Sequence, residues 1–350
     1  MRSFQVCTCG QPLQCNEYPT PKPAGTEVLL KVLAAGVCHS DLHLSDGYFD
    51  LGGGKRMSLE DRGMKLPVTL GHENVGEVVA VGPQAQGVKV GDRRLAHPWI
   101  GCGTCAVCLR GDENLCRAMK SLGVFSNGGY SDYLLLPHPR YLIDIGDLPV
   151  DRAAPLACSG VTAYSASAKL PTLAPSDRVA VIGCGGVGMA GIAVLRAKGV
   201  KNIVACDIDD AKLEIARKLG AKLAVNTRSA DAAQQLQGIA GAIDFVGNPA
   251  TAALGIAALR KGGRYVLVGL HGGELVHPLP PIAQRAIGIV GSYVGSLQEL
   301  KEVVALAKKG KLKPMPVETR PAEEVNGALQ DLNAGRVVGR VVLDFERLAA

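Results

Sequence analysis

A segment with four glycines, Gly183-Cys184-Gly185-Gly186-Val187-Gly188, constrains the fold of this chain more than any other stretch. The apolar run before it, Arg178-Val179-Ala180-Val181-Ile182, reads as a strand, and the run 189–198 after it reads as a helix. G-x-G-x-x-G alone is a weak signal. Between a strand and a helix it marks a loop whose backbone N–H groups meet a dinucleotide pyrophosphate at a helix N-terminus. Gly183, Gly185, Gly186 and Gly188 permit the tight turn and the close approach, while Cys184 and Val187 fill the positions between them. Apolar runs at 203–206, 223–225, 243–246 and 265–268 alternate with helical segments such as 209–219, where Leu213, Ile215, Ala216 and Leu219 share a face. This alternation predicts an α/β unit with a doubly wound parallel sheet over 156–290. Asp207 ends the second strand, nineteen residues beyond Gly188. A carboxylate there accepts the ribose hydroxyls of NAD and repels the 2′-phosphate of NADP, so NAD is the expected cofactor. Capping of the next helix is the plainer role for Asp207, and it is compatible with the first.

The flanking blocks have a different rhythm. Residues 1–155 hold short β-like runs, among them 26–32 and 74–81, separated by Gly- and Pro-rich turns. Residues 291–350 read as helices at 297–309 and 321–333 followed by a strand at 336–345. A strand after two helices predicts that the tail returns to the first block. The coenzyme domain, 156–290, is then inserted into a discontinuous β-rich domain of 1–155 and 291–350. A length of 350 residues suits two such domains. Residues 51–65, opening on Leu51-Gly52-Gly53-Gly54, read as a flexible loop.

Hydrophobic residues make up 47% and charged residues 20%, as in a folded globular protein. The net charge of +6 is spread along the chain without a block of like charges, so neither a nucleic-acid nor a membrane partner is expected. Eleven cysteines without an export signal point to metal ligands and free thiols in a reducing cytoplasm, the expected location.

Cys102, Cys105, Cys108 and Cys116 form C-x2-C-x2-C-x7-C within a lobe at 98–117. Four close thiolates surround one tetrahedral Zn²⁺ and leave no position for water, which defines a structural site. An iron–sulfur cluster also uses two-residue spacings, but the wide last interval without a trailing Cys-Pro favours zinc. A second group is scattered: Cys38 in Gly36-Val37-Cys38-His39-Ser40-Asp41-Leu42-His43, His72 in Gly71-His72-Glu73-Asn74, and Cys158 in Ala157-Cys158-Ser159-Gly160. Two thiolates and one imidazole neutralise a zinc ion and leave one coordination position open.

On these motifs, together with Val338-Gly339-Arg340-Val341, the whole chain resembles the zinc-containing medium-chain alcohol dehydrogenases. That family's use of a two-Cys-one-His zinc is well known. The resemblance implies a GroES-like β-rich catalytic domain beside a Rossmann coenzyme domain, with two zinc ions per subunit and NAD. It implies that Cys38, His72 and Cys158 bind the catalytic zinc, with Glu73 a close acidic neighbour of the metal. Asp41 is expected to accept a hydrogen bond from the far nitrogen of His72. Ser40 and then His43 are expected to carry the alcohol proton outward, and His39 to meet the cofactor pyrophosphate. Trp99 is expected to wall the substrate pocket. Each of these has a duller reading as a packed or solvated side chain. His97, His138, His271 and His277 lack ligand-like neighbours and read as structural. Cys7, Cys9, Cys15, Cys184 and Cys206 read as small hydrophobes, with Cys7-Thr8-Cys9 alternating as a strand does.

The stretch Gly47-Tyr48-Phe49-Asp50-Leu51-Gly52-Gly53-Gly54-Lys55-Arg56 resembles a bacterial branch that oxidises ω-hydroxy acids, of the 6-hydroxyhexanoate dehydrogenase type. The expected substrate is a small alcohol or aldehyde, a primary alcohol or ω-hydroxy acid first. A secondary-alcohol or carbonyl reductase and a polyol dehydrogenase are the alternatives. Lys55, Arg56, Arg62 and Lys65 either meet a distal carboxylate or are solvated charges. A homo-oligomer is expected by analogy, a tetramer before a dimer. Three rival classes are weighed against this. A zinc-free reductase of the same fold would lack Cys38, His72 and Cys158; a zinc-ribbon nucleic-acid binder would need a basic surface around 102–116; a retired NAD-binding structural protein is excluded only by assay.

Overall fold

The computed structural model describes residues 1–346. Two sheets organise the chain. In the first, strands run in the order Leu142–Asp144, Arg93–Ala96, Glu73–Val81, Val28–Val37, Arg340–Asp344 and Val317–Pro321, with Tyr133–Leu136 pairing beside Val28–Val37. The central strand is apolar along almost its whole length because it is covered on both sides, and only Lys31 is partly exposed. The tail does return: Arg340–Asp344 pairs antiparallel with Val28–Val37, matching Val341 to Val37 and Asp344 to Ala34.

The second sheet has six parallel strands in the order Leu223–Asn226, Asn202–Asp207, Arg178–Ile182, Ile239–Asp244, Leu259–Leu267 and Gly288–Gly291. Numbered along the chain this is 3-2-1-4-5-6, the Rossmann order, with its switch point between Arg178–Ile182 and Ile239–Asp244. Buried side chains cover both faces. Met189, Ile192 and Leu195 pack on one side and Ile256, Leu259 and Tyr265 on the other. A further core joins the two sheets and contains Cys38, Trp99, Cys158, Ala190 and Val194.

Several local expectations need correction. The segment 51–65 is not a loop throughout, since Tyr48–Gly52 and Lys55–Ser58 form an antiparallel hairpin. Its two-residue turn, Gly53-Gly54, has φ of 57° and 76°, a conformation that glycine adopts without strain. Arg56 stacks on Tyr48 across the hairpin, 4.0 Å from the ring centre. Cys7 and Cys9 lie in the turn after strand Arg2–Val6 rather than on a strand face. Pro321 ends strand Val317–Pro321, and the helix that follows runs over Val325–Asn333. The strand foreseen at 243–246 is Ile239–Asp244, because Asp244 turns the chain by accepting the N–H groups of Val246 and Gly247.

Among the described residues, no helix is long and apolar enough to cross a membrane.

Candidate active site

Strand Val28–Val37 delivers Cys38 to the junction of the two sheets, where helix His39–Asp46 begins. Asp41 Oδ2 accepts the Cys38 backbone N–H at 2.9 Å and so caps this helix from within its first turn. The helix ends at Gly47, whose φ of 80° lets its N–H reach the His43 carbonyl. His72 follows Gly71, which has φ +89°; a Cβ on Gly71 would stand 2.3 Å from the Tyr130 ring. Cys158 joins the turn Ala154–Ala157 to helix Ser159–Ala168.

One donor atom from each of Cys38, His72 and Cys158 lies within 4.8 Å of the others, and all three residues are buried. The two sulfurs are 3.9 Å apart. Neither ring nitrogen of His72 makes a hydrogen bond among the described residues: Nδ1 has only a close carboxylate contact, and Nε2 has no polar partner, a costly arrangement unless a Lewis acid completes it. His72 Nδ1 lies 3.2 Å from Asp41 Oδ1, so the ring's other nitrogen is the one directed toward the sulfurs. The Cys158 contact, aided by Arg340 and His72, draws Cys38 well below the usual thiol range against its burial. Burial alone would lower His72, but Asp41 and Cys38 hold it well above an ordinary imidazole. The donor set carries the negative potential a dication needs, and it fits zinc.

Glu73 stands outside this donor trio. Its Oε1 accepts from Arg340 at 2.6 Å and from the Ser159 N–H at 3.2 Å. Burial pushes its carboxyl up to about 7 even against the Arg340 charge. Arg340 and Tyr130 are the two site residues that sequence reasoning left without a role. Arg340 lies in the motif Val338-Gly339-Arg340-Val341 and Tyr130 in Gly128-Gly129-Tyr130, neither of which carries a ligand-like pattern. The phenol of Tyr130 donates to Asp41 Oδ2 at 2.9 Å.

Ser40 and His43 lie three positions apart on helix His39–Asp46, which puts them on one side of it. The His43 ring is 5.0 Å from Phe49 and 6.2 Å from His39, and partial burial and His39 lower its basicity. His39 is exposed. Trp99 is buried, donates to the Ala157 carbonyl at 3.2 Å, and places its ring 5.4 Å from His72 and 6.2 Å from Tyr293. His97 is buried beside Tyr141 and pulled down to about 3 by burial, so it is neutral at physiological pH.

At the switch point Gly183 has φ +85°, and a Cβ on Gly188 would fall 1.8 Å from the Gly183 carbonyl oxygen. Gly185 is the N-cap of helix Gly186–Ala197, which begins earlier than the pattern foresaw. A Cβ on Gly185 would meet nothing within 4 Å, so space is open beside the loop at the helix start. The Arg340 guanidinium flanks Gly186 at this helix N-terminus. Asp207 Oδ2 accepts the Cys184 N–H at 2.6 Å, tying the glycine loop to the second strand. The next helix is capped instead by Asp209, which accepts from Ala211. These features fit a dinucleotide.

The four lobe sulfurs all lie within 4.8 Å of one another, with contacts of 3.4 Å (Cys105–Cys108), 3.8 Å (Cys105–Cys116) and 3.9 Å (Cys102–Cys108). Corners of a tetrahedron about 2.3 Å from its centre are about 3.8 Å apart, so the spacing fits zinc. Backbone N–H groups of Cys102 and Cys105 point at sulfurs of Cys116 and Cys102, each at 3.4 Å. They stabilise thiolates, and hydrogen bonds from Thr104 first and from Cys105 next draw Cys102 down to about 5.

Comparison with known proteins agrees with this geometry. Residues 24–147 match the alcohol dehydrogenase GroES-like domain, and residues 186–309 match the zinc-binding dehydrogenase domain. An NAD-dependent alcohol dehydrogenase of Sulfurisphaera tokodaii is 39% identical, covering 98% of this chain and 99% of that one. The crystal structure of the alcohol dehydrogenase from Aeropyrum pernix superposes with a TM-score of 0.89 at 33% identity, covering 98% and 100%. Acetophenone reductase from Geotrichum candidum in complex with NAD gives a TM-score of 0.86 at 31% identity, covering 99% and 98%. Sheet order, zinc-fitting donor sets and these matches define a two-domain zinc-dependent dehydrogenase. The chain belongs to the zinc-containing medium-chain alcohol dehydrogenase family.

Proposed function

We propose that this NAD-linked zinc alcohol dehydrogenase acts on primary alcohols, with ω-hydroxy acids favoured. The carrying observation is the buried trio of Cys38, His72 and Cys158 between the two sheets, beside the Asp207-anchored glycine loop. Bound zinc supplies Lewis acidity to the substrate oxygen, and bound NAD supplies the hydride acceptor. The chain's own residues do the rest. Cys38, His72 and Cys158 hold the metal, and Asp41 fixes the His72 tautomer. Ser40 accepts the hydroxyl proton as it releases its own toward His43, one helical turn on, which takes that proton and gives one up to solvent. Asp207 engages the adenosine ribose, while His39 and the loop Gly183–Gly188 meet the pyrophosphate. Trp99 walls the pocket and keeps water from the reacting carbon. Cys102, Cys105, Cys108 and Cys116 hold a second, structural zinc.

The distal-carboxylate preference is supported by the exposed cations Lys55, Arg56, Arg62 and Lys65 on and after the Tyr48–Ser58 hairpin. The Arg62 guanidinium rests on the Met57 sulfur at 3.5 Å. The test is NADH formation from 1-hexanol, 6-hydroxyhexanoate, a secondary alcohol and a polyol, each with NAD and NADP. The expected order puts 6-hydroxyhexanoate above 1-hexanol, with NAD as acceptor. A preference for the secondary alcohol would instead place the chain with ketone reductases such as the Geotrichum relative.

The same reading takes 1–155 with 291–350 as one domain and 156–290 as the other, because strand Arg340–Asp344 returns to the first sheet. It also takes the molecule as a homo-oligomer in a reducing cytoplasm, a tetramer before a dimer. The edge strand Gly288–Gly291 and the exposed Val276 and Leu279 support an interface between copies, and light scattering checks the mass. A mass of one chain would remove it.

A further inference from the structure

We propose that Tyr130 is a positioning residue for the catalytic zinc site, acting through Asp41. This rests on the reading that Cys38, His72 and Cys158 hold zinc.

Asp41 is fully buried, and its carboxylate touches two of the three donor residues at once. Oδ1 lies 3.2 Å from His72 Nδ1, and Oδ2 accepts the Cys38 backbone N–H at 2.9 Å. The orientation of this one carboxylate therefore sets the imidazole plane of His72 and the start of the helix that carries the Cys38 sulfur. Tyr130 supplies the remaining contact to Oδ2, at 2.9 Å. Its hydroxyl also lies 3.2 Å from the Gly36 carbonyl oxygen. With a single proton to give, the phenol donates to the charged and nearer acceptor.

The backbone that carries Tyr130 is anchored as well. Its backbone N–H donates to the Leu70 carbonyl at 2.9 Å, and its carbonyl accepts the Phe4 N–H at 2.8 Å. The ring lies against the α-carbon of Gly71, the residue before His72, closely enough that a Cβ there would collide at 2.3 Å. One side chain thus braces His72 from the backbone side and from the far side of its imidazole. Tyr130 is fully buried, and among the described residues its phenol and the Cys38 amide are the hydrogen-bond donors to Oδ2. Partners that orient a metal-binding histidine typically change metal affinity by about 10–100-fold when removed.

Tyr130→Phe keeps the ring and removes only the hydroxyl. In the zinc-loaded full-length protein, release of the catalytic zinc to a chelator is expected to quicken by roughly 10-fold or more, with the four-cysteine zinc leaving at its usual rate. With cobalt substituted at the catalytic site, the visible ligand-field bands are expected to shift. Since Tyr130 acts through Asp41, adding Tyr130→Phe to Asp41→Asn is expected to change release little further. An unchanged release rate and spectrum, or equal quickening at both metal sites, would overturn the proposal and leave Tyr130 a packing residue. Additive effects in the double variant would overturn it too. Cys38→Ser serves as the control: if it keeps both zinc ions, the zinc assignment fails rather than the role of Tyr130.

Discussion

Asp207 holds local structure with the same carboxylate that the proposal assigns to the cofactor ribose. Its Oδ1 accepts the N–H groups of Ile208 and Asp209 at 2.8 and 3.0 Å, while Oδ2 holds the Cys184 amide at 2.6 Å. Three of the roughly four lone-pair sites are thus taken, leaving one on Oδ2 for a ribose hydroxyl, and the negative charge would repel a 2′-phosphate brought there. Asp207→Ala is expected to reduce the preference for NAD over NADP by roughly 10-fold or more, measured as the ratio of kcat/KM values; each factor of ten is about 1.4 kcal/mol. An unchanged ratio would discredit the ribose assignment. Residues legible in the sequence were those whose chemistry is declared by type and spacing: the cysteines, His72, Asp207 and the glycines. Tyr130 and Arg340 were not legible as site residues. Their partners, Asp41 and Glu73, lie 89 and 267 positions away, and only the fold makes those pairs. Glu73 itself was legible as a neighbour of the metal site, but its engagement by Arg340 was not.

Among the elements, the lobe around 102–116 has little regular structure to hold it. It contains one short helix, Ala106–Leu109, and a single 3-10 turn, Glu113–Leu115. Glu113 ties it to the main body through the Tyr141 hydroxyl at 2.7 Å and the Gly101 N–H at 3.1 Å. Metal binding must supply much of the lobe's order. Cys105→Ser is therefore expected to lower the melting temperature and shorten the life of the folded protein, with kcat per correctly folded molecule largely kept. A purely catalytic loss at unchanged melting temperature would contradict a structural role. Strand Arg178–Ile182 was readable to the residue because its run from Val179 to Ile182 is apolar and ends at glycine. The Tyr48–Ser58 hairpin was not. Its strands are partly exposed and carry charge, and the glycine run reads as a break where Gly53-Gly54 build a hairpin turn. Gly52 packs against Gly273 and Glu274, and Gly272 against Asp50, so the hairpin meets the coenzyme domain. No local pattern announces such a contact.

In the whole molecule, the two sheets meet where the chemistry is placed. Cys38 comes from the first sheet's central strand, Cys158 from the connection into the coenzyme domain, and Arg340 from the returning tail. The Arg340 guanidinium pairs with Glu73 beside the donor trio and also flanks Gly186 at the glycine loop. The zinc-fitting trio and the glycine loop thus share a buried frame, and the trio is drawn from three separate segments of the chain. The most direct test compares wild type with Cys38→Ser for zinc per chain, circular dichroism and NADH formation from 1-hexanol. The expected result is two zinc ions and turnover in the wild type. Cys38→Ser should hold one zinc, keep its secondary structure, and lose activity by roughly 1,000-fold, about 4 kcal/mol of transition-state stabilisation. Full turnover by Cys38→Ser, or wild-type zinc content insensitive to this substitution, would contradict the assignment of the catalytic metal to Cys38, His72 and Cys158.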